Sequence, residues 1–254
     1  MEHVTAIDKD QRYDWDCGLV CCQMCLKWVN RPQSFSALTR RCPTKSTWSI
    51  DLAFLLHGFG VKARYYTITW GANQSYTEIE YYKENLQSDA SRVNDLFNNA
   101  AARGLHVELK SLVIDQIIEA LVKDTCVIMI LGCADASAML KGKQSETGEE
   151  AGQGTERMPH SLPSVGIDTG FVGHYVILIA YHTEKQMFEI ADPGVEAERR
   201  LIQKDALEHA RKQHGTDEDL LVIDVENLMQ DCNELNTSAP EEREEIFLRC
   251  KRKG

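Results

Sequence analysis

Four residues of this chain have the types and spacing that build an activated thiol: Gln11, Cys17, His174 and Asp192. Cys17 stands in "DQRYDWDCGLVCCQMCLKW", after a polar run and at the start of an apolar one. A thiol at a helix start feels about half a positive charge from the backbone dipoles, which favours the nucleophilic thiolate. Such a site is completed by a histidine that exchanges the proton and a third group that holds the imidazole. His174 opens the apolar segment "GHYVILIAY", and Asp192 closes the next one, "MFEIADP". A hairpin turning near Thr183 sets residues 174 and 192 opposite each other on one face. Gln11 precedes Cys17 by six residues, so its amide can reach back beside the Cys17 N–H. Two such donors aimed at one oxyanion are worth about 3 kcal/mol each. Each residue alone is ordinary, since buried cysteines and strand histidines are mostly structural and Asp-Pro is a common turn opener. The order Gln, Cys-Gly, His, Asp-Pro is far more specific.

The elements that must position these residues are legible in the periodicity. Residues 17–29 carry two strongly polar side chains, Gln23 and Lys27, and two apolar stripes, Leu19-Cys22-Leu26-Val29 and Val20-Met24-Trp28. A helix apolar nearly all round is a buried helix. Cys21, Cys22 and Cys25 then read as small core residues, and Asp16 falls at the cap position. "STWSIDLAFLLHGFG" predicts a short helix capped by Ser46 or Thr47 and stopped at Gly58 or Gly60. "VKARYYTITW" predicts a strand, "SDASRVNDLFNNAAARG" a helix ending at Gly104, and "HVELKSLV" a further strand. A helix at "DQIIEALVKD", a buried strand at "TCVIMIL", the two strands of the hairpin, a helix at "KDALEHARKQHG" and a strand at "DEDLLVIDV" follow. Helices come first and a strand-rich half second, which predicts an α+β fold. One domain is expected over residues 1–228, with a flexible insertion at 141–170 that could cover the cleft and a charged tail at 229–254.

Composition narrows the partners. The 254 residues are 43% hydrophobic and 26% charged, as in an ordinary globular protein. A net charge of −11 disfavours nucleic acid and anionic membrane surfaces. No apolar run is long enough for a membrane span, and the first residues lack the layout of a secretory signal, so a cytoplasmic protein is expected. Nine cysteines in a reducing compartment should be free thiols. Cys22 and Cys25 make one C-x₂-C, but Cys42, Cys126, Cys133, Cys232 and Cys250 stand apart with no second such pair, so no zinc set is expected.

"Q-x₅-C-G", a buried helix, then "GHYVILIAY…FEIADP" together resemble the papain-like superfamily, in particular its bacteriocin-processing peptidase branch. That resemblance implies a papain-like fold, its buried central helix packed on a mixed or antiparallel sheet. It also implies Cys17 as nucleophile, His174 as base and acid, Asp192 as orienting carboxylate and Gln11 as oxyanion donor. From Gln11 to Asn227, the segments "YDWDCGL", "WSIDLAFLLHGFGV", "YYTITWGAN", "GHYVILIAY" and "GTDEDLLVI" resemble the guanylyl cyclase domain-containing family, called after a plant soluble guanylyl cyclase. This second resemblance implies conversion of GTP to cyclic GMP with Mg²⁺ or Mn²⁺. Nucleotide cyclases of known mechanism hold two metal ions with two carboxylates, yet no acid here is placed by a motif and "GFVGHY" lacks the G-x-x-x-x-G-K form. The expectation from the residues is therefore a cofactor-free thiol hydrolase, cysteine peptidase-like, cleaving a peptide, amide or related acyl bond in a peptide or protein substrate. Guanylyl cyclase is the alternative, and a non-catalytic binding module on a papain-like scaffold is a third reading.

Overall fold

The computed structural model describes residues 15–42, 44–123, 126–133, 173–195 and 199–224. Gln11, the insertion expected at 141–170 and the tail expected at 229–254 lie outside them. The chain runs through helices α1 (Cys17–Trp28), α2 (Phe35–Arg41) and α3 (Ser49–Gly58), then strand β1 (Ala63–Thr67). Helices α4 (Glu80–Lys83) and α5 (Leu86–Asn99), strand β2 (His106–Leu109), helix α6 (Ile114–Lys123) and strand β3 (Cys126–Cys133) follow. Strands β4 (Gly173–His182), β5 (Met187–Ala191) and β6 (Arg200–Gln203), helix α7 (Lys204–Arg211) and strand β7 (Leu220–Asp224) complete the order.

The strands form one seven-stranded mixed sheet in the order β2-β1-β7-β3-β4-β5-β6. The β1–β2 pair is parallel and the other pairs are antiparallel. The fold is thus mixed α+β, as the sequence predicts. The continuous apolar run of β3 is explained by burial of both sheet faces. Val127, Met129 and Leu131 join one core with α1, α3 and α5. Cys126, Ile128 and Ile130 join a second core with residues of α6 and α7. β7 divides the same way, Leu221 and Ile223 against Leu220 and Val222, which is the period-2 alternation of a strand.

Three local expectations are corrected. The cap of α3 is Trp48, whose backbone N–H donates to Asp51 Oδ2 at 2.9 Å, while Ser46 donates to Asp89 instead. The carboxylate three residues into the helix can reach back to an orphan N–H, so no hydroxyl is needed there. Strand β1 stops at Thr67, because the Ile68 N–H turns to the Asp217 carbonyl at 2.9 Å. Strand β6, not anticipated in the polar stretch "RLIQ", is held by pairing with β5 over Met187–Ile190.

Candidate functional site

Cys17 is the first residue of α1 and is buried. Asp16 occupies the N-cap position, but its side chain makes no capping hydrogen bond. The next residue, Gly18, lets α1 sit against α3 and β4: a Cβ there would lie 2.6 Å from Leu52 Cδ1 and 3.1 Å from Tyr175 Cδ2. One turn on, Cys21 Sγ donates to the Tyr175 carbonyl at 3.5 Å. The helix start is thereby fixed beside the start of β4, where His174 stands.

His174 Nε2 lies 2.7 Å from Asp192 Oδ1, and the Cys17 thiol is close enough to the imidazole to raise its pKa. Asp192 is buried and fully engaged. Oδ1 accepts additionally from the Gly194 N–H at 2.9 Å, and Oδ2 accepts from Arg200 Nη1 at 2.8 Å. The structure therefore brings together Cys17, His174 and Asp192, three of the four residues singled out in the sequence. Arg200 is an addition that sequence reasoning missed. It lies on β6, the strand without a periodic signal, and the basic pair at 199–200 was its only mark.

The hairpin differs in register from the expectation. Ile177 pairs with Ala191 and His182 with Met187, with an irregularity between Leu178 and Ala180, so residues 174 and 192 are not Cα partners. A bulge adds a residue to one strand and shifts what faces what. Asp192 lies just past the paired segment, and its side chain still spans the offset to His174.

Electrostatics follow from burial and these contacts. Burial alone would lower the His174 pKa, but the Asp192 hydrogen bond, followed by the nearby Cys17 thiol, raises it to about 9. Burial works to raise Asp192, and the His174 hydrogen bond and charge, the Gly194 N–H and Arg200 together hold it below the ordinary carboxylate range. His174 is thus an imidazolium at neutral pH. The neighbouring thiols behave oppositely: burial raises Cys21 and Cys22 well above the ordinary range and raises Cys25 as well. Cys42 is pushed up to about 12, first by burial and then by the Asp51 charge. None of the six cysteines whose side chains are described, Cys17, Cys21, Cys22, Cys25, Cys42 and Cys126, is in a disulfide.

Among the described residues no helix is long and apolar enough to cross a membrane. The family model described as Guanylylate cyclase matches residues 6–223. A plant protein, Guanylyl cyclase 1 of Arabidopsis thaliana, is 36% identical over 227 residues, covering 89% of this chain and 78% of the plant protein. These matches overturn the expectation of a papain-like thiol hydrolase, a cysteine protease using a Cys–His–Asp catalytic triad. The physical reason is that an imidazole oriented by a carboxylate beside a helix start defines a proton-handling, charged centre and not one reaction; the same parts serve unrelated chemistries. With a family match over most of its length and a relative at this identity, the chain belongs to the Guanylylate cyclase family.

Proposed function

We propose that this chain is a guanylyl cyclase, converting GTP to cyclic GMP and pyrophosphate. The observation that carries the reading is the 36% identity to the plant protein of that name, extending over 78% of its length. In this reaction the ribose 3′-oxygen attacks the α-phosphorus, the bond from that phosphorus to the β-phosphate oxygen breaks, and the 3′-hydroxyl proton is released. The site assigned to it is the Cys17, His174 and Asp192 cluster, with Gln11, the fourth residue singled out in the sequence, as a neutral donor.

The chemistry of the cluster supports the assignment. A histidine raised to about 9 is a cationic N–H donor at pH 7, suited to a triphosphate and to protonating the departing pyrophosphate oxygen. The N-terminus of α1 adds backbone N–H groups of the same polarity. Asp192 keeps the imidazole charged and oriented, and Arg200 keeps Asp192 ionised and in place. Among the described residues, no group of three or more His, Cys, Asp or Glu is placed to hold a metal, so no step is assigned to a resident ion. The divalent cation enters as part of the substrate, Mg·GTP or Mn·GTP. We also infer a papain-like scaffold and a single domain over 1–228. Support comes from the buried helix α1 packing on β4 and from one sheet that draws strands from residue 63 to residue 224.

The test is incubation of purified protein with GTP and Mg²⁺ or Mn²⁺, with cyclic GMP measured by mass spectrometry. Wild type should form product in a metal-dependent manner, and His174→Ala should lose roughly 10²-fold or more. No product above a blank from folded wild type would overturn the cyclase reading. Equal product from His174→Ala would leave the reaction standing and remove it from this site.

A further inference from the structure

A second polar cluster lies behind the residue that follows His174. The Tyr175 hydroxyl and Ser49 Oγ are 2.7 Å apart. Both line a small cavity of about 10 Å³ together with Thr47, Trp48, Asp217 and Asp219, which is room for one water-sized occupant. Two acidic residues therefore line one space, both are buried, and the charge of Asp217 acts on Asp219.

Neither carboxylate has a cation. Asp217 Oδ1 accepts from Thr69 Oγ1 at 2.6 Å, the Tyr76 hydroxyl at 2.6 Å and Asn73 Nδ2 at 3.0 Å, all neutral donors. Asp219 is approached by the hydroxyls of Ser49, Thr67 and Tyr65, also neutral. Its Oδ1 is buried with no hydrogen-bond partner. The two basic residues that precede this loop are committed elsewhere, the fully buried Arg211 to Glu208 and Glu218 at 2.5 and 3.1 Å and Lys212 to Glu208 at 2.8 Å. Among the described residues neither Asp217 nor Asp219 takes part in an ion pair. Burying two carboxylates without a compensating charge is strongly unfavourable. A water in the cavity would add a hydrogen bond but no charge.

We propose that this cavity is a binding site for one divalent cation, held by Asp217 and Asp219 with neutral oxygens completing the shell. An all-oxygen donor set with two carboxylates suits the hard ions Mg²⁺, Ca²⁺ and Mn²⁺ and disfavours soft ions. The ion neutralises the pair and ties the loop before β7 to the start of α3. The site is independent of the cyclase reading, and its test reads binding and not turnover.

Chelator-treated protein is melted in matched ionic strength with NaCl alone or with MgCl₂, CaCl₂ or MnCl₂ added. At a hundredfold excess over Kd, a single site should raise Tm by about 5 °C or more. Asp219→Asn, which has the shape of the protonated acid, should fold and lose the shift, whereas Asp115→Asn at the surface should keep it. Asp217→Asn and a Mn²⁺ titration followed by electron paramagnetic resonance provide a second arm, with one ion fewer bound per chain than in wild type. Absence of any shift in wild type, or an equal shift in both Asp219→Asn and Asp217→Asn, would overturn the proposal.

Discussion

At the residue scale, His174 and the buried thiols are set by the same two influences, desolvation and partners, with opposite outcomes. His174 has Asp192 to hold its charge; for Cys21, Cys22 and Cys25 burial is the largest influence, and neighbouring thiols add to it at Cys21 and Cys22. In the folded chain His174 keeps its proton up to about 9, against 6.5 for the free group. Its contribution to stability, about 3 kcal/mol, is therefore fully present below pH 6.5 and lost as pH rises through 9. Asp192→Asn should abolish most of that contribution. Urea unfolding at pH 6 and pH 10 should show a large difference between wild type and variant at pH 6 and a small one at pH 10. The ring of His174, followed by NMR, should titrate at least one pH unit lower in the variant. For the thiols, iodoacetamide at pH 7 followed by peptide mass spectrometry should leave Cys21, Cys22, Cys25 and Cys42 unmodified until denaturant is added, since each is buried and protonated.

The elements meet at two points that a single substitution can probe. Gly18 is the contact between α1, α3 and β4, and Gly18→Ala forces its Cβ against Leu52 and Tyr175. Overpacking of this kind costs about 1–3 kcal/mol, measurable as a fall in the urea midpoint. Because the helix start carries Cys17, the variant should also perturb the His174 titration, which a change elsewhere in the core would not. The second point is Arg92 of α5, which pairs with Asp51 at the start of α3 and with Asp89 on its own helix at 2.9 Å. Ser46 and the Trp48 indole N–H also donate to Asp89. Arg92→Gln leaves two largely buried carboxylates without their cation, and a loss of roughly 2–3 kcal/mol is expected after allowing for the partial exposure of Arg92. The amphipathic helices were readable from their stripes, but this network was not. It joins residues 41 positions apart, and nothing in the local pattern of "STWSID" or "SDASRV" marks them as partners.

Across the whole molecule, the sheet separates two cores, and side chains that reach from one segment to another make them a single body. Arg211 on α7 is the clearest case. It is fully buried, pairs with Glu208 and Glu218, and donates from Nη2 to the Leu112 carbonyl at 2.7 Å. One guanidinium thus ties α7, the loop before α6 and the loop before β7 together. Arg211→Met should destabilise the chain by about 3 kcal/mol and broaden or lower the melting transition, because it strands the Leu112 carbonyl and takes the guanidinium from Glu218, while Glu208 keeps Lys212 at 2.8 Å. The cation proposed between Asp217 and Asp219 would act on the next residues of the same loop, so Arg211→Met should weaken that cation's thermal shift as well.

The sequence by itself determined the periodic elements and the order of the chemical residues. The all-round apolarity of residues 17–28, the unbroken run of β3 and the alternation in β7 each state how many faces are buried, because helix and strand periods are local properties of the backbone. It also determined that Cys17, His174 and Asp192 are the chemical candidates, since their positions at element boundaries are visible in the chain. Tertiary structure decided what those candidates became. The bulge in β4–β5, the unmarked strand β6 and its Arg200, and the Asp192 and Cys17 contacts that raise His174 to about 9 against its burial depend on segments meeting across the sheet. The same holds for Asp217 and Asp219, two unremarkable acids in "GTDED" until folding places them on one cavity without a cation. A pKa and an uncompensated charge are properties of an environment, and the environment is assembled from residues far apart in sequence.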